Sequence, residues 1–193
     1  MSFVRDATYG LYGALRLARF DRAGLRWIDG SDAGAWRSFQ ALWLLIPAYM
    51  VLLLLVGSSR PLLPGGVLHR LAGESVGEVV ELGAYLLAAR QVLVLTGSTA
   101  NFAAYVAAYN WASVVQVVFL ILVYLLLATG LVPQALGTPI MTAVAIALLV
   151  YSGFIARTAL DITIPAAAGF VLLDVIITVM VSGITDALVY APG

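Results

Sequence analysis

From Ser38 onward the chain runs in long apolar stretches broken by short polar or glycine- and proline-bearing segments. A hydrocarbon core of about 30 Å needs roughly 20 apolar residues in helical form. Five stretches approach that length: Ser38–Val56, Gly77–Leu95, Asn110–Ala128, Pro139–Ala156 and Ile164–Ile184. Continuous runs of this length predict helices, because a membrane barrel would show short segments of alternating polarity. A helix also satisfies its own backbone amides in lipid. The breaks Gly57–Gly66 and Gly130–Pro139 carry turn residues. Pro47 is expected to kink the first span, and Pro165 falls in the first turn of the fifth.

Residues 1–37 are patterned differently. Thr8–Asp29 reads as one amphipathic helix with Arg16, Arg19 and Arg26 on a shared face and Tyr9, Tyr12, Phe20 and Trp27 among its rings. Such a helix is expected to lie in the membrane interface, with its arginines on anionic lipid headgroups. The predicted fold is therefore all-α: a cytoplasmic interfacial helix in residues 1–37, then a bundle of five transmembrane helices in residues 38–193. The first apolar run long enough to insert follows an arginine-rich stretch, so it is expected to stay in the mature protein as a membrane helix.

Composition sharpens this picture. Of 193 residues, 63% are hydrophobic and 10% charged, against about a quarter charged in soluble domains. A chain this small and this apolar cannot hide its side chains in one core. The formal net charge is zero, which removes the basic field that nucleic acid requires. There is no cysteine, hence no disulfide, thiolate nucleophile or cysteine metal ligand. All ten cationic residues are arginines, and Arg5, Arg16, Arg19, Arg22, Arg26 and Arg37 precede the first span. The positive-inside rule places that end in the cytoplasm and, after five crossings, the C-terminus outside. Arg60 and Arg70 run against the bias.

The chemistry-bearing residues are few. His69 is the single histidine and has no cysteine partner, and no lysine follows a glycine-rich loop, so neither a zinc site nor a P-loop is expected. No cofactor and no catalytic residue is assigned. Asp174 stands alone in the apolar run Gly169–Met180, with Thr178 one turn on and Ser182 and Thr185 beyond. Ionisable residues at this depth face a bundle interior or a wet cavity, so Asp174 is read either as glue between helices or as part of a polar route. Gln116, on the third span, shares a helical face with Tyr105, Tyr109 and Ser113. Arg90 lies at a depth that would let it pair with Asp174. Asp174, Thr178, Gln116 and Arg90 thus form the expected intramembrane polar site. Glu78 and Glu81 read as a solvated helix start, and Arg157 with Asp161 as a surface pair. The small residues of Ile164–Phe170 and Thr142–Ala147 predict close packing between the fourth and fifth spans, or self-association.

Five closely spaced helices from Trp36 to Tyr190 behind a polar N-terminal segment, together with the stretch YSGFIARTALDITIPAAAGFVLLDVII, resemble the Yip1-domain family of small membrane proteins. The stretches FDRAG, SFQALW and AYNW are similar to those of uncharacterised bacterial inner-membrane proteins. The resemblance implies a non-enzymatic scaffold that binds lipids, other membrane proteins or copies of itself. The rival expectation is a small transporter or channel subunit with Asp174 on its polar route.

Overall fold

The computed structural model describes residues 3–57 and 66–189. Among the described residues seven α-helices follow one another: α1 (Phe3–Ala18), α2 (Asp32–Ser38), α3 (Leu42–Val56), α4 (Gly66–Thr96), α5 (Phe102–Ala128), α6 (Gly137–Leu160) and α7 (Ile164–Val189). There is no strand among the described residues.

A 3-10 turn, Phe39–Ala41, joins α2 to α3, making one apolar helical run from Asp32 to Val56. With α4, α5, α6 and α7 this gives five helices long and apolar enough to cross a membrane. Their outer faces carry large apolar side chains in the open, among them Leu87, Leu95, Val179, Met180 and Leu188. Apolar surface this extensive is kept from water only by lipid or by other protein.

The helix ends follow local chemistry. Ser31 caps α2 by accepting from the Gly34 N–H at 3.0 Å. Gly97, at φ +70°, takes the left-handed turn after α4 that a side chain would resist. Asp161, at φ +55°, closes α6 in the same way, its N–H bonded to the Arg157 carbonyl. No ion pair joins Arg157 to Asp161, so the expected surface pair gives way to a cap.

α4 begins eleven residues before the predicted Gly77. His69, Arg70 and Glu74 lower the hydropathy of its first three turns without breaking the helix. Arg70 has a structural task there. Its guanidinium donates to the Leu53 carbonyl at 2.6 Å and the Gly57 carbonyl at 3.4 Å, capping the C-terminal end of α3. That local task explains why Arg70 departs from the arginine bias. Arg60 lies outside the described residues.

α5 is the hub. It packs against α1, α2, α3 and α6, while α7 bridges α6 to α4. The antiparallel α4–α7 pair is the most extensive contact, with Gly73 against Val189 and Gly77 against Thr185. The glycines, four residues apart, let the two backbones approach. α6 and α7 do pack together, while most of the small residues of Ile164–Phe170 and Thr142–Ala147 are exposed, Ala167 and Val144 excepted.

The N-terminal region is not one helix. α1 ends at Ala18, Phe20 turns into the left-handed region at φ +58°, and Arg22–Trp27 continues as a 3-10 helix. Asp21 starts that turn by accepting from the Ala23 N–H at 2.9 Å. α1 buries Ala7, Gly10, Ala14 and Leu17, a helical stripe, against the 3-10 helix and α5. From α6, Tyr151 donates its hydroxyl to the Ala14 carbonyl at 2.8 Å. Residues 3–38 therefore form a folded cap packed against α5 and α6.

Candidate functional site

Three helical stripes meet where α4, α5 and α7 come together. α4 contributes Glu78, Glu81 and Tyr85, spaced three and four apart. α7 contributes Phe170, Asp174 and Thr178, each one turn from the next. α5 contributes Tyr105 and Tyr109. Such spacings place each set on one helix face. Because α4 and α7 run antiparallel, Tyr85 meets Phe170 and Glu81 meets Thr178.

The meeting point has an aromatic end and an acidic end. At the aromatic end the Tyr85 and Tyr105 hydroxyls are hydrogen-bonded to each other. Tyr85 lies 4.8 Å from Tyr109 between ring centroids, and Tyr105 lies 6.1 Å from Phe170. Tyr85 and Tyr105 are 2% and 1% exposed, so this end is sealed. At the acidic end Tyr109 donates its hydroxyl to Asp174 Oδ1 at 2.9 Å. One turn further, Thr178 Oγ1 lies 2.6 Å from Glu81 Oε1 and 3.0 Å from the Asp174 backbone oxygen. Glu78 stands three residues before Glu81 on the same face of α4.

Glu81 is the fifteenth residue after the start of the 31-residue α4, about 22 Å along its axis from either end. Asp174 is likewise near the middle of α7. The carboxylates thus lie at mid-span. None of the three forms an ion pair with a described residue. Isolated carboxylates in a low-dielectric interior are costly, so a proton or a cation must accompany them. Among the described residues no group of His, Asp or Glu is placed to hold a metal ion. Thr178 has one hydroxyl hydrogen and two oxygen partners, so it either shares that hydrogen between Glu81 Oε1 and the Asp174 backbone oxygen or, with a proton on Glu81, accepts from the acid and donates to the backbone.

Of the residues read from the sequence, Asp174 and Thr178 come together. Gln116 does not join them: its amide donates to Ser152 Oγ of α6 at 3.2 Å. Arg90 is exposed and makes no ion pair with Asp174. It stands nine residues after Glu81, about half a turn round the helix, and so faces away. Glu78 and Glu81, expected at a wet helix start, are inside the site instead. The signal that could have found them is their three-residue spacing together with Gly73 and Gly77 just before, a packing face rather than a solvated one.

Gly73-Glu74-Ser75-Val76-Gly77 matches the Gly-x-Ser-x-Gly pattern of hydrolase nucleophiles. That chemistry needs a sharp strand-to-helix turn that exposes the serine. Here the five residues lie inside α4, Ser75 is buried, and the glycines carry the contact with α7.

Arg16, Arg19 and Arg26 do not share a helix face. Arg16 is in α1 and ion-paired to Asp21, Arg19 lies in the turn after α1, and Arg26 is in the 3-10 helix. The Arg16 hydrogen bond, followed by the Ala23 N–H, holds the Asp21 carboxyl below the usual range. Asp29 is lowered too, first by hydrogen bonds from Ser31 and then by Arg37. No family model matches the chain, and no curated protein or solved structure matches it.

Proposed function

We propose that this protein is a non-enzymatic integral membrane protein that binds and passes protons at Glu78, Glu81 and Asp174, as a small transporter or channel subunit. The observation that carries the reading is the placing of Asp174 and Glu81 at mid-span with tyrosine and threonine hydroxyls as their partners, Glu78 one turn from Glu81, and no ion pair to any of the three among the described residues. Hydroxyl and carboxyl groups in hydrogen-bonding series are the usual means of moving protons within a membrane. The arginines of residues 5–37 support a cytoplasmic N-terminus, and layout and composition favour a bacterial inner membrane.

Reconstitution into liposomes tests this. With a potassium-diffusion potential imposed and a pH-sensitive dye inside, wild type is expected to carry protons above protein-free vesicles. Glu81→Gln and Asp174→Asn should reconstitute normally and lose at least about tenfold of that flux. Flux equal to empty vesicles, or unchanged in both variants, refutes the reading.

A second reading, a scaffold of Yip1-like layout, draws on Trp36 and Trp43. They are 78% and 77% exposed and two helical turns apart, a surface suited to a protein or interface partner. Under that reading Trp36→Ala with Trp43→Ala would release a co-purifying membrane partner and leave the carboxylates without effect.

A further inference from the structure

The cap encloses a second polar site, apart from the intramembrane carboxylates. A cavity of about 370 Å³ opens between α1, the 3-10 helix and α2, with Trp111 of α5 on its wall. Three arginines line it, Arg5, Arg26 and Arg37, with two carboxylates, Asp6 and Asp29. The charges are unequally engaged. Arg37 donates through Nε to Asp6 at 3.0 Å and through its terminal nitrogen to Asp29 at 2.5 Å, so one guanidinium holds both acids and closes the α1–α2 junction.

Arg5 and Arg26 have no such partner. Arg5 lies over the Tyr9 ring, 5.7 Å from its centroid. Neither forms an ion pair among the described residues. Both are exposed at the cavity, so the unspent charge there is positive. The aromatic side is equally defined. Tyr9 and Trp27 stack face to face with centroids 5.7 Å apart and Arg5 lies over the Tyr9 ring, so the pair contributes an aromatic edge to the cavity beside Arg5 and Arg26.

We infer that this cavity binds a phosphate group, held by Arg5 and Arg26, with the carbon skeleton that bears it packed against the edge of the Tyr9–Trp27 stack. Guanidinium forks match phosphate oxygens in geometry and charge. The site lies beside α2, which begins the first apolar run long enough to cross a membrane, and the phosphates of a bilayer crossed by that run would stand near its ends. A phospholipid headgroup and a soluble phosphate ester would present the same group.

The test uses the full chain in detergent, read by native mass spectrometry, with phosphatidylglycerol as one probe and glycerol 3-phosphate as the other. Arg5→Gln with Arg26→Gln is compared with Arg19→Gln plus Arg22→Gln, which removes two exposed arginines that do not line the cavity. Phosphatidylglycerol retention weakened at least about tenfold in the first pair and unchanged in the second supports the site with a lipid source. The same dependence with glycerol 3-phosphate supports it with a soluble source. Equal loss in both pairs shows generic surface charge and overturns the inference, as does unchanged binding of both probes in the first pair. Thermal midpoints matching wild type establish that these exposed substitutions leave the fold intact.

Discussion

Glu81 and Thr178, 97 residues apart in sequence, lie 2.6 Å apart between Oε1 and Oγ1 across the α4–α7 seam. The contact fixes the register of the two helices and brings a mid-span acid to a hydroxyl that also reaches the Asp174 backbone. Thr178→Val keeps the shape and removes the hydroxyl. It should cost about 1 kcal/mol, while Thr178→Ser should stay near wild type. Reversible unfolding in mixed detergent micelles measures both.

The same seam depends on glycine. A Cβ at Gly77 would lie 2.6 Å from Thr185 Oγ1, whereas one at Gly83 meets nothing within 4 Å. Gly77→Ala is therefore expected to destabilise by about 1–3 kcal/mol. Gly83→Ala should be neutral or slightly stabilising. The contrast between two glycine-to-alanine changes in one helix, read as thermal midpoints in detergent, separates packing from helix propensity.

Tyr151 ties the cap to the bundle through the Ala14 carbonyl. Tyr151→Phe leaves the ring in place and should weaken the attachment by about 1 kcal/mol. Faster hydrogen exchange confined to α1 and the 3-10 helix is the expected signature. Uniformly faster exchange across all helices would mean that the bond supports the whole fold.

The cap should respond to acid. Asp21 and Asp29 bind protons less readily when folded than when unfolded, because Arg16 and the Ala23 N–H hold Asp21, and Ser31 with Arg37 holds Asp29. Their contribution is complete above the unfolded carboxyl range and is lost as pH falls below about 4. Exchange in residues 3–38 should rise over that window. Asp21→Asn should flatten part of the response, and a cap that loosens only at alkaline pH would contradict the sign.

The spans were legible because hydropathy at helical length is a strong signal, and so was the Asp174–Thr178 pair, one turn apart in an otherwise apolar run. Glu78 and Glu81 were not, because His69, Arg70 and Glu74 hide the first turns of α4 from any hydropathy window. Depth can be read from position in a span, but rotational facing depends on which helix packs on which. That is why Gln116 fell on another partner and Arg90 on an exposed face. The break after α1 left a trace in Asp21, a residue suited to starting a turn, which the arginine periodicity of Thr8–Asp29 overrode.

The most direct measurement is carbodiimide labelling of the protein in its membrane, mapped by mass spectrometry across a pH series. Dicyclohexylcarbodiimide partitions into lipid and reacts with protonated carboxyl groups. Label on Glu78, Glu81 or Asp174 that declines as pH rises, and that is lost from the substituted position in Glu81→Gln and Asp174→Asn, is the expected result. Absence of label from all three across the series, with acids such as Glu74 and Asp186 modified instead, would contradict a proton-binding site at mid-span.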